Sequence, residues 1–357
     1  MNRSPLFEKH KQSDASFDEF FAWRVPQIYS KIEAEYAAAR GLAVIMERPY
    51  FGHLRVTGDD HVDLLHRLTA NELRPLQPGE GQINIFANEK GRIIDRVLLL
   101  KFPDSIRLIT SPGSSERVAA WIDKYVFIED VKVENLTAAL TTLSLFGPKS
   151  PQVLEVFFNH EFHQYHQEMD WNGQKLLVAR TDELRAPGFD LIVETARAPK
   201  LWEELLAAGK PFDLRPMGEA AYEVLRIEAG WPIYGKDFDD QINPHEAGLL
   251  PYINFNKGCY IGQEVIARLD TYDKVQKHLM GVTLEGDLLP KSQDLIFVDD
   301  QEVGYLTSAV HSIGLKKNIA LGYVRTKFAN EGAEVQIVTD GREISGKVVA
   351  LPFRIVY

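Results

Sequence analysis

Residues 279–350 decide how the last part of this chain folds. They run Leu279-Met280-Gly281-Val282-Thr283-Leu284, then Leu295-Ile296-Phe297-Val298, Glu302 to Ala309, Ile319 to Val324, Glu334 to Val338 and Arg342 to Ala350. Each run is short and apolar, with turns such as Asp340-Gly341 between them. Short strands at close spacing predict a small antiparallel barrel or sandwich.

Upstream the texture differs. Gly52 to Thr57 reads as a strand, followed by a helix capped at Asp59 or Asp60 and reaching Leu73. Gln82 to Ala87, Ile93 to Phe102 and Ile106 to Thr110 read as strands, and Ser114 to Tyr125 as a helix. A second unit starts near Leu140 with the strand Leu140 to Phe146, then a helix to Phe158. Asp170 to Arg180 is a hairpin turned by Asn172-Gly173, a type I′ signal. Phe189 to Glu194 is a strand, while Lys200 to Leu206 and Met217 to Glu228 are helices, the last stopped by Gly230 and Pro232. Phe17 to Arg40 reads as helical, broken at Pro26. Strands and helices alternate without a long parallel run, so the fold class is α+β.

At 357 residues the chain is long enough for two or three domains. Its apolar fraction of 45% and charged fraction of 25% are those of a soluble globular protein. No apolar run reaches the length of a membrane span, and Met1 to His10 lacks a signal-peptide core. A cytoplasmic location is expected, and a single cysteine agrees with a reducing compartment. A net charge of −11 argues against broad nucleic-acid contact, which needs cations to neutralise phosphates.

The one cysteine lies in Lys257-Gly258-Cys259-Tyr260-Ile261-Gly262-Gln263-Glu264. Alone it forms no internal disulfide, so it is a core filler or a thiol with a job. The flanking glycines allow a tight turn, and nearby Lys257 and Arg268 are cations of the kind that stabilise a thiolate. Asp95 follows the apolar pair Ile93-Ile94, where a carboxylate is costly unless it is paired with Arg92 or Arg96 or put to use. Arg226 and Glu228 end a helix before Gly230-Trp231-Pro232-Ile233-Tyr234-Gly235, and either pair with neighbours or hold a ligand carboxylate. His160, His163 and His166 recur at near-helical spacing but match no zinc motif, so no metal site is assigned. A P-loop, a dinucleotide fingerprint and a nucleophile elbow are all missing from the sequence.

Leu225 to Gly235, Pro244 to Leu249, Leu315 to Val324, Asn88 to Asp95, and Leu6-Phe7-Glu8-Lys9-His10 with Trp23 and Pro26 resemble the glycine-cleavage T-protein superfamily. The resemblance implies a three-domain cloverleaf around a central tetrahydrofolate channel. The expected domains are 1–50 with 140–250, 51–139, and a barrel at 275–357, joined through 251–274. Two branches are separated by their motifs. Aminomethyltransferases move a methylene from an aminomethyl-lipoyl carrier to tetrahydrofolate. The YgfZ-type folate-binding branch supports assembly or maintenance of iron–sulfur enzymes, and its Lys-Gly-Cys-Tyr-x-Gly-Gln-Glu signature is similar to Lys257, Gly258, Cys259, Tyr260, Gly262, Gln263 and Glu264. Two departures from the transferase pattern agree: Arg96 stands where it has a second aspartate, and Ala186 where a glutamate grips the pterin, with Glu183 the candidate substitute.

The resemblance implies Phe51 and Tyr222 as stacking residues, Asp95, Arg226 and Tyr234 as polar contacts to the folate, and Cys259 as the working thiol with Lys257 as its cationic neighbour. The expected partners are folate and iron–sulfur client or assembly proteins, with neither nucleic acid nor membrane. The competing functions are an aminomethyltransferase acting through Asp95 and a non-catalytic folate-binding regulator.

Overall fold

The computed structural model describes residues 1–181, 183–271 and 274–355. The backbone divides into two units. The first holds Met1–His66, Leu73–Asn84 and Val97–Tyr222; the second holds Arg67–Glu72, Ile85–Arg96 and Glu223–Tyr357.

In the first unit a six-stranded sheet runs in the order His166–Trp171, Gln174–Thr181, Gly188–Glu194, Leu140–Phe146, Val44–Arg48, Arg215–Pro216. The Asn172-Gly173 turn forms as expected, with both residues at positive φ (54° and 75°), and sets the register Trp171↔Gln174. The helices Ser150–Phe158 and Ala198–Ala208 lay Val153, Leu154, Leu201 and Leu205 on this sheet. Both helices open with proline in the first turn, where a missing N–H costs nothing. Val44–Arg48 is buried at all five positions.

The first residues depart from expectation. Of the stretch Phe17 to Arg40 expected to be helical, only the part within Ile32–Gly41 is; Ser16–Phe20 and Trp23–Ile28 form an antiparallel hairpin, joined by Asn2–Arg3 into a three-stranded sheet. Phe21 and Ala22 form its turn, with φ of 47° and 63°. Neither is a usual left-handed residue, so the turn carried no local signal. The helix expected to reach Leu73 is also shorter, spanning His61–Leu68.

In the second unit the strands Lys277–Leu284, Lys317–Arg325, Gln301–Ser312, Leu295–Val298, Glu334–Thr339 and Arg342–Val349 close into an antiparallel barrel. Glu334–Thr339 alternates exposed and buried at every residue, as a strand with one face inward must. The register slips between Leu306 and Ser308, and this bulge turns Thr307 and Ser308 toward Asp237, to which both hydroxyls donate. Among the described residues no helix is long and apolar enough to cross a membrane.

Candidate functional site

A buried polar cluster occupies the first unit. Arg48 ends an all-buried strand, so its guanidinium needs compensation where it stands. Its Nη2 donates to Tyr222 Oη at 2.8 Å and lies 2.9 Å from Glu183 Oε2. Tyr222 Oη donates in turn to the same Glu183 oxygen at 2.7 Å. The guanidinium carbon sits 4.1 Å from the Phe51 ring centroid and 4.8 Å from that of Tyr222. Nε reaches Tyr50 Oη at 3.4 Å, while Nη1 is buried and has no hydrogen-bond partner among the described residues. Burial disfavours this cation, but Glu183, then Tyr222, Tyr50 and Asp190, outweigh it and hold its pKa well above the ordinary value. Asp190, on the strand Gly188–Glu194, accepts from Ser144 Oγ at 2.5 Å. Burial pushes its carboxyl up to about 6; Arg48 opposes the rise and Glu183 adds to it.

Two sequence expectations, Phe51 and Tyr222, therefore meet around one cation. Arg48, Asp190 and Tyr50 were missed. The available signal was the charged pair Glu47-Arg48 closing the apolar run Val44-Ile45-Met46. Glu183 does turn inward. Ala186, three residues on, lines a separate cavity of about 450 Å³ with Tyr165, Arg180 and Arg185, a lining without a carboxylate.

The octapeptide lies in the second unit, and Cys259 is exposed. Lys257 is not spent on the thiol. Its buried ammonium donates to the carbonyls of Thr69 at 2.6 Å and Asn71 at 2.9 Å, 5.1 Å from the Tyr260 ring centroid. Ile261 N–H donates to Arg67 O at 3.0 Å. Gly262 has φ +84°, and a Cβ there would stand 2.5 Å from Asn88 O, so only glycine fits. Tyr260 is buried, which pushes its phenol up to about 12, and Gln263 Oε1 accepts its backbone N–H at 3.4 Å. Gly258 has open space around it, and Glu264 is exposed in the first turn of the helix Gln263–Thr271. The octapeptide thus pins a loop at Lys257, Tyr260 and Gly262 and leaves the thiol outside.

Asp95 is fully buried on Ile93–Lys101 and accepts the Arg96 N–H at 2.9 Å. Arg92 pairs with Glu246 at 3.1 Å, and the Arg96 guanidinium lies 4.0 Å from the Trp231 ring centroid. Arg226 is fully buried, and all five of its N–H donors are engaged: on both oxygens of Glu223, on Trp231 O, on Asp237 Oδ2 and on Ser308 Oγ. Glu223 is held down at about 2 against its burial, chiefly by Arg226 and then Lys236. Tyr234 packs edge-on against Phe238 at 5.4 Å within the core of this unit. The three histidines do not converge. His166 is buried on a strand and bonds Lys101 O at 2.8 Å, whereas His163 is exposed and lies 3.1 Å from Glu161. Among the described residues no group of three or more His, Cys, Asp or Glu is placed to hold a metal.

A mixed α/β body with a closed C-terminal barrel and a buried cation–carboxylate–phenol cluster defines the class. The GCVT N-terminal domain model matches residues 6–257, and the glycine cleavage T-protein C-terminal barrel domain model matches residues 277–354. The chain is 30% identical over 360 residues to an aminomethyltransferase from Geobacillus sp. (strain WCH70), covering 99% of this chain and 98% of that protein. It is 31% identical to an aminomethyltransferase from Leptospira biflexa serovar Patoc, covering 98% and 96%. The crystal structure of the glycine cleavage system aminomethyltransferase T from Bartonella henselae shares the fold, with a TM-score of 0.90 at 23% identity over 99% of this chain and 98% of that one. The chain belongs to the glycine cleavage T-protein family. Members of this family use tetrahydrofolate as a substrate-cofactor.

Proposed function

We propose that this chain binds tetrahydrofolate and, through Cys259, supports the assembly or maintenance of iron–sulfur enzymes. The Arg48–Glu183–Tyr222 cluster carries the folate reading. A pterin edge presents N–H donors beside acceptors. Glu183 supplies a carboxylate to the donors, Arg48 Nη1 is a buried donor with capacity to spare, and the half-buried Phe51 supplies an aromatic wall. Glu183 thereby takes over from the position held by Ala186. Bound tetrahydrofolate supplies the amines that accept a one-carbon unit. The protein's part is to orient the pterin through Glu183, itself fixed by two bonds.

The iron–sulfur part is supported by presentation: an exposed thiol on a loop pinned by buried groups. Iron–sulfur clusters usually take about four cysteine ligands. One thiol therefore acts jointly with a partner's.

Aminomethyl transfer is the second reading, favoured by the relatives' names and by the buried Asp95. Three measurements separate the readings. Tetrahydrofolate titration should saturate with the native chain and weaken roughly tenfold or more with Glu183→Gln. In cells lacking the native copy, Cys259→Ala should lower iron–sulfur enzyme activities while Asp95→Asn does not. Ammonia release from an aminomethylated lipoyl carrier that depends on Asp95 would instead establish the transferase. Folate binding with no phenotype from either variant would leave a regulator.

A further inference from the structure

A cavity of about 600 Å³ opens within the first unit, distinct from the Arg48 cluster. Its volume falls inside the range of small-molecule sites, about 300–1,000 Å³. Thr142 stands opposite Arg48 in the pairing of Leu140–Phe146 with Val44–Arg48, and side chains alternate along a strand. Thr141, one residue earlier, therefore points away from Arg48, and it lines this cavity.

Thr141 is 2% exposed, and its hydroxyl has no hydrogen-bond partner among the described residues. A buried hydroxyl left so costs stability unless something else satisfies it. Other lining groups also have capacity to spare. Asn135 Oδ1 accepts the Thr137 N–H at 3.1 Å, but its amide nitrogen donates to nothing among the described residues. The same holds for the Trp23 indole N–H and the hydroxyl of the buried Ser115. Ser115 and Glu116 open the helix Ser115–Asp123, whose N-cap Ser114 makes no side-chain cap bond. Arg3 and Glu116 are both exposed; among the described residues the guanidinium has no carboxylate partner and the carboxylate receives no donor.

Arg3 and Glu116 cancel in charge, so the lining favours neither an anion nor a cation. The other polar side chains around the cavity are hydroxyls, amides and one indole. A hydroxyl donates and accepts at a single atom, and an amide does both within one group. Their complement is an uncharged molecule whose own groups do the same at close spacing, which is the property of neighbouring hydroxyls. Trp23, half-buried, adds a flat apolar face with an N–H at its edge, which suits a ring. We propose that this cavity binds a neutral ring compound bearing adjacent hydroxyls, from either a small sugar or the ribose of a nucleoside. Thr141 and Glu116 bond its hydroxyls, and Trp23 packs against its ring.

Calorimetric titration of the full chain with D-glucose, D-galactose, adenosine and cytidine tests this. At least one should saturate; a sugar that does so assigns the saccharide source, and a nucleoside assigns the ribose. The matching 2-deoxy sugar or 2′,3′-dideoxynucleoside should bind about tenfold more weakly. Thr141→Val keeps the shape and removes only the hydroxyl. It should weaken the ligand about tenfold, leave the urea midpoint unchanged or raised because an unsatisfied group is deleted, and leave tetrahydrofolate titration unchanged. Glu116→Ala, at an exposed helical position, should also weaken the ligand about tenfold. No saturation by any of the four, a deoxy analogue that binds as tightly as its parent, or unchanged affinity in both variants would overturn the proposal. So would a lowered midpoint in Thr141→Val, since the hydroxyl would then already be satisfied within the protein.

Discussion

Arg48 in the first unit and Lys257 in the second are both buried cations, and the structure spends them differently. Arg48 is directed at side chains: Glu183, Tyr222 and the face of Phe51. Lys257 is directed at main-chain carbonyls of Thr69 and Asn71. The first arrangement builds a site, because the groups it orders are themselves ligand-binding chemistry. The second builds a platform, because ordered carbonyls fix a loop whose reactive residue stays outside. A cation two residues from a cysteine is therefore no measure of thiol activation; the atoms that receive its protons decide its role.

Substitutions break this comparison in order of expected size. Arg48→Met leaves Glu183 and Asp190 buried without their cation and should cost about 3–5 kcal/mol in urea unfolding. Lys257→Met removes two charged hydrogen bonds and should cost about 1.5–3 kcal/mol, with a changed rate of Cys259 alkylation in the native state. If alkylation were unchanged, Lys257 would not be what positions the thiol.

Asp190 gives a smaller effect that depends on pH. Its folded carboxyl is raised to about 6, above its ordinary value of 3.8, so between those values the folded state binds the extra proton. Stability from this group is gained as pH falls from 7 toward 4 and lost as pH rises through 6. Asp190→Asn should raise the melting temperature by a few degrees at pH 7.5 and by less at pH 4.5. Equal gains at both pH values would remove Asp190 as the cause. Cys259→Ser should be the smallest change, within about 0.5 kcal/mol, since the side chain is exposed. A larger loss would make the cysteine structural after all.

The barrel was legible because a strand's period and its turns are local. Glu334 to Ile337 alternates in sequence as it does in burial, and Asp340-Gly341 and Asn172-Gly173 carry the residues their turns require. The hairpin at 16–28 was not legible, since Phe21-Ala22 enters the left-handed region without asparagine or glycine. Tertiary context imposed that turn by pairing Trp23–Ile28 on both edges.

The chain's own order of residues determined its family, its α+β class, its barrel and the octapeptide that holds the thiol. It did not determine what the charged side chains do. Arg48 and Tyr222 are 174 residues apart, and Lys257 and Thr69 are 188. Only the folded chain closes such separations. It made Arg226, which the sequence left between pairing with neighbours and holding a ligand, a guanidinium with all five donors committed internally. It also made Glu183, for which no contact was legible in sequence, the partner of a buried cation. A polar group's role follows from which partner shares its burial, and burial is a property of the packed chain.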